Sequence, residues 1–105
     1  MSELAYIRAG GYELIVQFAC EIDHHTSRKL REKIDKAIFE YRPGSLVLDF
    51  REVKFMDSAG IGLVLGRCAL CATLGAEVRL TRLSEPLYKL MRLAGIERVR
   101  NLWIS

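Results

Sequence analysis

The chain predicts an α/β fold: a mixed, largely parallel β-sheet of four to five strands with helices packed against it. Three observations lead there. Short runs rich in β-branched and aromatic residues alternate with segments of helical period, which is the pattern of β-α-β units. Two strand-like runs come first, joined at Gly10-Gly11, and read as an antiparallel hairpin on the edge of the sheet. The length of 105 residues suits one sheet-and-helix core and not two, so residues 1–105 are expected to form a single domain.

Each element has its own justification. "LAYIRAGGYELIVQFAC" supplies the two hairpin strands. From Asp23 the period changes, and Leu30, Ile34, Ala37, Ile38 and Tyr41 fall on one face of a helix that Asp23, Thr26 or Ser27 can cap. Pro43-Gly44 stops it, and "SLVLDF" follows as a buried strand. A second helix is expected from about Ser58 to Leu74, ending at Gly75, and "EVRL" is the strand after it. "SEPLYKLMRLAG" is a third helix with Ser84 as cap, Pro86 in its first turn and Gly95 as its stop. "RVRNLWI" is a last strand or an ordered tail, in which Trp103 is expected to pack as core. In such an order the first two helices start after the carboxyl ends of parallel strands, so both starts should share the rim where α/β folds place functional groups.

Composition excludes several classes. Half the residues are apolar and 28% are charged, an ordinary globular balance. The net charge of +3 is mild, and Arg28, Lys29, Arg31, Lys33 and Lys36 alternate with Glu32 and Asp35 as on a solvated helix face, so direct nucleic-acid binding is not expected. No signal-peptide core opens the chain, and no run reaches the roughly 18 apolar residues of a membrane span, because Arg67 and three glycines interrupt the best candidate. Three cysteines, an odd number, suit a reducing compartment, and a cytoplasmic location is expected. Cys68 and Cys71 lie one helical turn apart without a second ligand pair and read as core thiols rather than a zinc or redox site. His24 and His25 read as surface residues at a helix start, pointing apart, and neither a metal nor a cofactor is expected.

The informative stretch is "KFMDSAGIGLVLGR", residues 54–67. In its plainest reading Asp57 or Ser58 is an N-cap, and Gly60 and Gly62 let the helix approach the sheet. More is needed, because Arg67 is the only charged residue between Ser58 and Ala76. A helix without a polar stripe is buried on both sides or offers apolar surface to a partner. Glycines at 60, 62 and 66 let another backbone come close. Ser58, at the start of a helix on the functional rim, is open to modification, and a phosphate there would meet free N–H groups and the helix dipole. A nucleophilic role lacks both a held base and the Gly-x-Ser-x-Gly elbow. Ser58 therefore reads as a substrate and not a catalyst, and the chain is not expected to be an enzyme.

These residues resemble a known family. "LVLDFREVKFMDSAGIGLVLGR" resembles the signature of the STAS domain, specifically of the bacterial anti-sigma factor antagonists. "CEIDHHT" is similar to the Asp-His-His segment of the sporulation-type members acting on the sigma-F pathway, and "EPLYKLMRLAGIERV" to the family's closing helix. The resemblance spans residues 3 to about 103. It implies the STAS-type mixed sheet and an activity of partner switching. A serine-kinase anti-sigma factor of the GHKL type phosphorylates the serine after the motif's aspartate, which is Ser58 here. The unmodified antagonist binds that kinase and frees the sigma factor, and a PP2C-type phosphatase resets the modified form. The resemblance further implies a partner-binding surface of Asp23, His25, Asp57, Ser58, Ala59, Gly60, Ile61, Gly62, Leu63 and Arg67. One departure stands out: many members carry two serines after the aspartate, where this chain has Ser58 followed by Ala59.

Two rival functions use the same fold: a STAS subunit that scaffolds or regulates a transporter, lipid-transport or stress-signalling complex, and nucleotide binding on the helix-terminus rim with help from Arg67. Retention of a phosphorylatable serine argues against the first. Titration with ATP or GTP decides the second.

Overall fold

A computed structural model describes residues 3–105. Its strands are β1 (Ala5–Gly10), β2 (Glu13–Phe18), β3 (Ser45–Asp49), β4 (Glu77–Thr81) and β5 (Leu102–Ile104). Its helices are α1 (Ser27–Tyr41), α2 (Ser58–Thr73) and α3 (Glu85–Leu93), with a short 3-10 turn at Ile96–Arg98. The strands lie side by side in the order β1-β2-β3-β4-β5. Only the β1–β2 hairpin is antiparallel; the other three pairings are parallel, as the β-α-β alternation requires.

Strand register decides which residues meet the helices. Leu14, Leu46 and Val78 stand in one row across the sheet, and Val16, Leu48 and Leu80 in the next. All six are fully buried in one cluster with Leu30, Ile34 and Ile38 of α1, Val64 and Cys68 of α2, and Leu87 and Met91 of α3. The three helices thus feed a single core on one face of the sheet. The intervening row, Arg8, Ile15, Val47, Arg79 and Trp103, belongs to the opposite face. Trp103 is therefore not a core residue: it is 54% exposed, because strand alternation assigns it to the face that no helix covers.

The helix boundaries follow local chemistry. Tyr41 is the last helical residue of α1, and the chain turns away at Arg42 in a left-handed conformation (φ 47°), leaving the ring 52% exposed rather than in the core stripe. α2 and α3 end as expected, at Gly75 (φ 74°) and Gly95 (φ 81°), where a side chain would be strained. Ser84 Oγ accepts from the Leu87 N–H at 3.4 Å and caps α3. Asn101 ties the last strand down by donating to the Cys68 and Ala76 carbonyls at 3.0 and 3.1 Å. Among the described residues no helix is long and apolar enough to cross a membrane.

Candidate functional site

The starts of α1 and α2 meet on one rim of the sheet. Ile22 and Met56 form a parallel bridge, extended by Ile22 N–H to the Phe55 carbonyl (3.1 Å) and Asp57 N–H to the Ile22 carbonyl (3.1 Å). Asp23 and Asp57 therefore flank each other for a reason of backbone geometry.

Ahead of α1, the Asp23 carboxylate Oδ1 accepts from the His25 N–H at 2.9 Å and the Thr26 N–H at 3.0 Å. Thr26 Oγ1 returns the favour by accepting from the Asp23 N–H at 3.1 Å. This reciprocal box satisfies orphan donors before the regular helix begins at Ser27. Those N–H donors, that of Thr26 first, hold the Asp23 carboxyl below the usual aspartate range. The box also places His24 and His25 in the turn and not on the helix. Instead of pointing apart, their rings lie 4.0 Å apart between centroids. His24 Nδ1 comes within 3.6 Å of Asp57 Oδ2, a contact that links the two helix starts. Sequence reasoning named His25 and passed over His24; the adjacency of the strand ends after β2 and β3 is the signal that would have found it.

Asp57 is the N-cap of α2, its Oδ1 accepting from the Ala59 N–H at 2.8 Å. Ser58 is the first helical residue and is exposed, its hydroxyl taking no part in the cap. The turn offers fewer free donors than a phosphate-binding nest needs. The N–H groups of Asp57, Ala59 and Gly60 are already taken by the Ile22 carbonyl, the Asp57 carboxylate and the Asp57 carbonyl. Ser58 is exposed, so a group attached to its hydroxyl has room in solvent.

The remaining candidates divide by face. Gly62 is exposed, Ala59 and Ile61 are half-buried, and Gly60, Leu63 and Arg67 are buried. A Cβ on Gly60 would lie 2.1 Å from Met56 Cγ, so this glycine seats the helix on the bridge below it. A Cβ on Gly62 or Gly66 would meet nothing within 4 Å. The missing polar stripe now has its explanation. The outward positions Ser58, Gly62, Ala69, Ala72 and Thr73 are small, so the exposed surface is bare but thin. Arg67 is only 7% exposed and faces Asp35 of α1, its Nε 2.8 Å from Oδ1. Burial lowers its affinity for the proton and Asp35 raises it. Cys68 and Cys71 are core thiols, as expected, and burial pushes them up to about 12 and about 11, so both stay protonated near neutrality.

Comparison with known proteins agrees with this arrangement. The STAS domain family matches residues 5–104. The anti-sigma F factor antagonist of Paenibacillus polymyxa is 33% identical over 90 residues, covering 86% of this chain and 77% of that protein. The solved structure of the anti-sigma factor antagonist SpoIIAA in its unphosphorylated form superposes with a TM-score of 0.76 at 25% identity, over 96% of this chain and 86% of that one. The phosphorylated form of the same Bacillus cell fate determinant gives 0.74 at 25% identity, over 96% and 90%. By its sheet order, by the rim on which its helix starts meet and by these similarities, the chain belongs to the STAS domain family.

Proposed function

We propose that this protein is an anti-sigma factor antagonist working by partner switching through Ser58. The unphosphorylated form binds a serine-kinase anti-sigma factor of the GHKL type and releases the sigma factor. Phosphorylation of Ser58 ends that binding, and a PP2C-type phosphatase restores it. The observation that supports this reading best is the placement of Ser58. It is an exposed hydroxyl at the first position of a helix whose cap is supplied by its neighbour, beside a bare stripe of small residues. That SpoIIAA is known in phosphorylated and unphosphorylated forms supports it further.

Simple electrostatics is enough for the switch. A phosphate adds roughly −1.5 to −2 charges. Within the protein the dipole of α2 favours it by about 0.3 to 1 kcal/mol, and the Asp57 carboxylate next to it opposes it, so fold and stability should hardly change. In the kinase the phosphoserine would face the phosphates of the ADP just formed. Two unit charges at about 4 Å repel by about 4 kcal/mol at an effective dielectric near 20. That weakens binding by about a thousandfold.

The test is an intact mass after incubation with ATP and the candidate kinase, with Ser58→Ala in parallel. One added phosphate that disappears in the variant is expected. An unchanged mass with a kinase active on its own substrate would overturn the assignment.

A further inference from the structure

α1 and α2 leave a cleft of about 490 Å³ between them. Arg28 and Arg31 line it from α1, Ala59, Gly62 and Gly66 from α2, and the buried Arg67 lines it as well. No carboxylate joins this lining. Glu32 meets Arg28 only across 3.6 Å of exposed surface, and among the described residues no acid pairs with Arg31.

Arg67 is the telling group. Its Nε stands 2.8 Å from Asp35 Oδ1, near enough for an ion pair, yet off the N–H direction. Among the described residues neither atom has a hydrogen-bond partner, and the buried Nη1 has none either. A guanidinium carries five donors in a flat fork, and burying them unmatched is unfavourable. Arg31 adds like-charge repulsion to the burial of Arg67. The cleft thus holds three cations, one of them desolvated and short of acceptors, beside two glycines with open space above them. Asp35 balances one of these charges, and Arg31 and the unmatched N–H groups of Arg67 are left for a further anion. Phosphate recognition at a helix start also draws on free backbone N–H groups, and those of Asp57, Ala59 and Gly60 are engaged. Arginine forks match carboxylates and phosphates alike, so it is the engaged N–H groups that favour a carboxylate here.

We propose that this cleft receives an acidic segment of the protein partner, whose carboxylates pair with Arg28 and Arg31 at the rim and with Arg67 beneath them, while its backbone lies close over Gly62 and Gly66. Because Ala59 belongs to the lining, such a segment holds the partner beside Ser58. The proposal rests on the function above for the identity of the partner, but not for the chemistry of the cleft.

Two arms test it separately. In the first, a glutamate-rich helical peptide is titrated into the labelled protein and followed by NMR. The Arg67 Nε–H and the Gly62 and Gly66 amides should shift together. The shifts should fade as salt rises, and be lost in the Arg28→Gln/Arg31→Gln variant, whose changes are confined to exposed side chains. Unmoved cleft signals overturn the proposal. So does a stronger response of the same signals to ATP or inorganic phosphate, which would make the cleft a phosphate site. In the second arm, association with the kinase is timed at about 50 and about 300 mM salt. The charge-reversed pair Arg28→Glu/Arg31→Glu should slow it about tenfold or more at low salt and flatten its salt dependence. Normal phosphorylation of Ser58 with unchanged association in that variant overturns the cleft and leaves the switch standing. A peptide-filled cleft in a protein that no such kinase binds or phosphorylates overturns the switch and supports the cleft chemistry.

Discussion

The two faces of α2 carry glycines only two residues apart, and these glycines do opposite work. Gly60 looks inward, where a single added carbon would enter the space of Met56 and approach Ile22 Cγ2 to 3.2 Å. Gly62 looks outward, where the same carbon would touch nothing. The inner glycine is required by the fold. The outer one weakens the helix without any return inside this chain, since glycine in a helix interior costs about 0.5–1 kcal/mol relative to alanine. A glycine at a position where the fold gains nothing from it points to the surface it serves. The same division separates Arg67, buried against Asp35, from the exposed Ser58, whose hydroxyl makes no hydrogen bond among the described residues.

Substitutions on the two faces test this division. The largest effect is expected where the faces join. Asp35→Ala leaves the Arg67 guanidinium buried without its counter-charge and should destabilise the fold by about 3 kcal/mol, read as a lower urea midpoint. Gly60→Ala comes next, at about 2 kcal/mol from overpacking. Combined with Met56→Ala it should cost less than the two single changes summed, because the two sites share one space, and a strictly additive double variant would show that the clash is not with Met56.

Asp57→Ala removes the cap of α2 and should cost about 1 kcal/mol in the same assay. Gly62→Ala should stabilise by about 0.5–1 kcal/mol, visible as a raised melting temperature, while weakening association with the kinase. A stabilised variant that binds the kinase as well as the wild type would remove the outer glycine from the interface. The smallest effect concerns Asp23. Its carboxyl is depressed in the folded state, so its charge adds stability above the unfolded value near about 3.9 and loses that contribution as pH falls through the folded value. The stability difference between wild type and Asp23→Asn should therefore be largest above about pH 4 and shrink as pH falls from there through the folded value, which denaturant titrations across that range would read.

Much of this was legible from residue pattern. The turn at Gly10-Gly11, the stops at Gly75 and Gly95 and the cap at Ser84 are local chemistry, and each element they bound is present. The Asp57-Ser58 start of α2 was legible too, since an N-cap needs only its own backbone neighbours. What pattern could not supply were relations between elements. His24 reaches Asp57 because β2 and β3 are parallel neighbours, not because of any spacing in the sequence. Arg67 looked available as the one charge on an apolar helix, and only the approach of α1 brings Asp35 to it. Trp103 looked like core from its composition, and strand alternation turned it to the open face.

The order of elements, the single core and the placement of a hydroxyl at the start of a helix are written in the residue pattern. Those follow from hydrophobic period, caps and turns, which act over a few residues. Tertiary structure alone decided which N–H groups at that start remain free, which glycine is needed inside and that three arginines gather in one cleft. Each of these depends on how closely two elements approach, a distance set by packing across the sheet and invisible to any local window of residues.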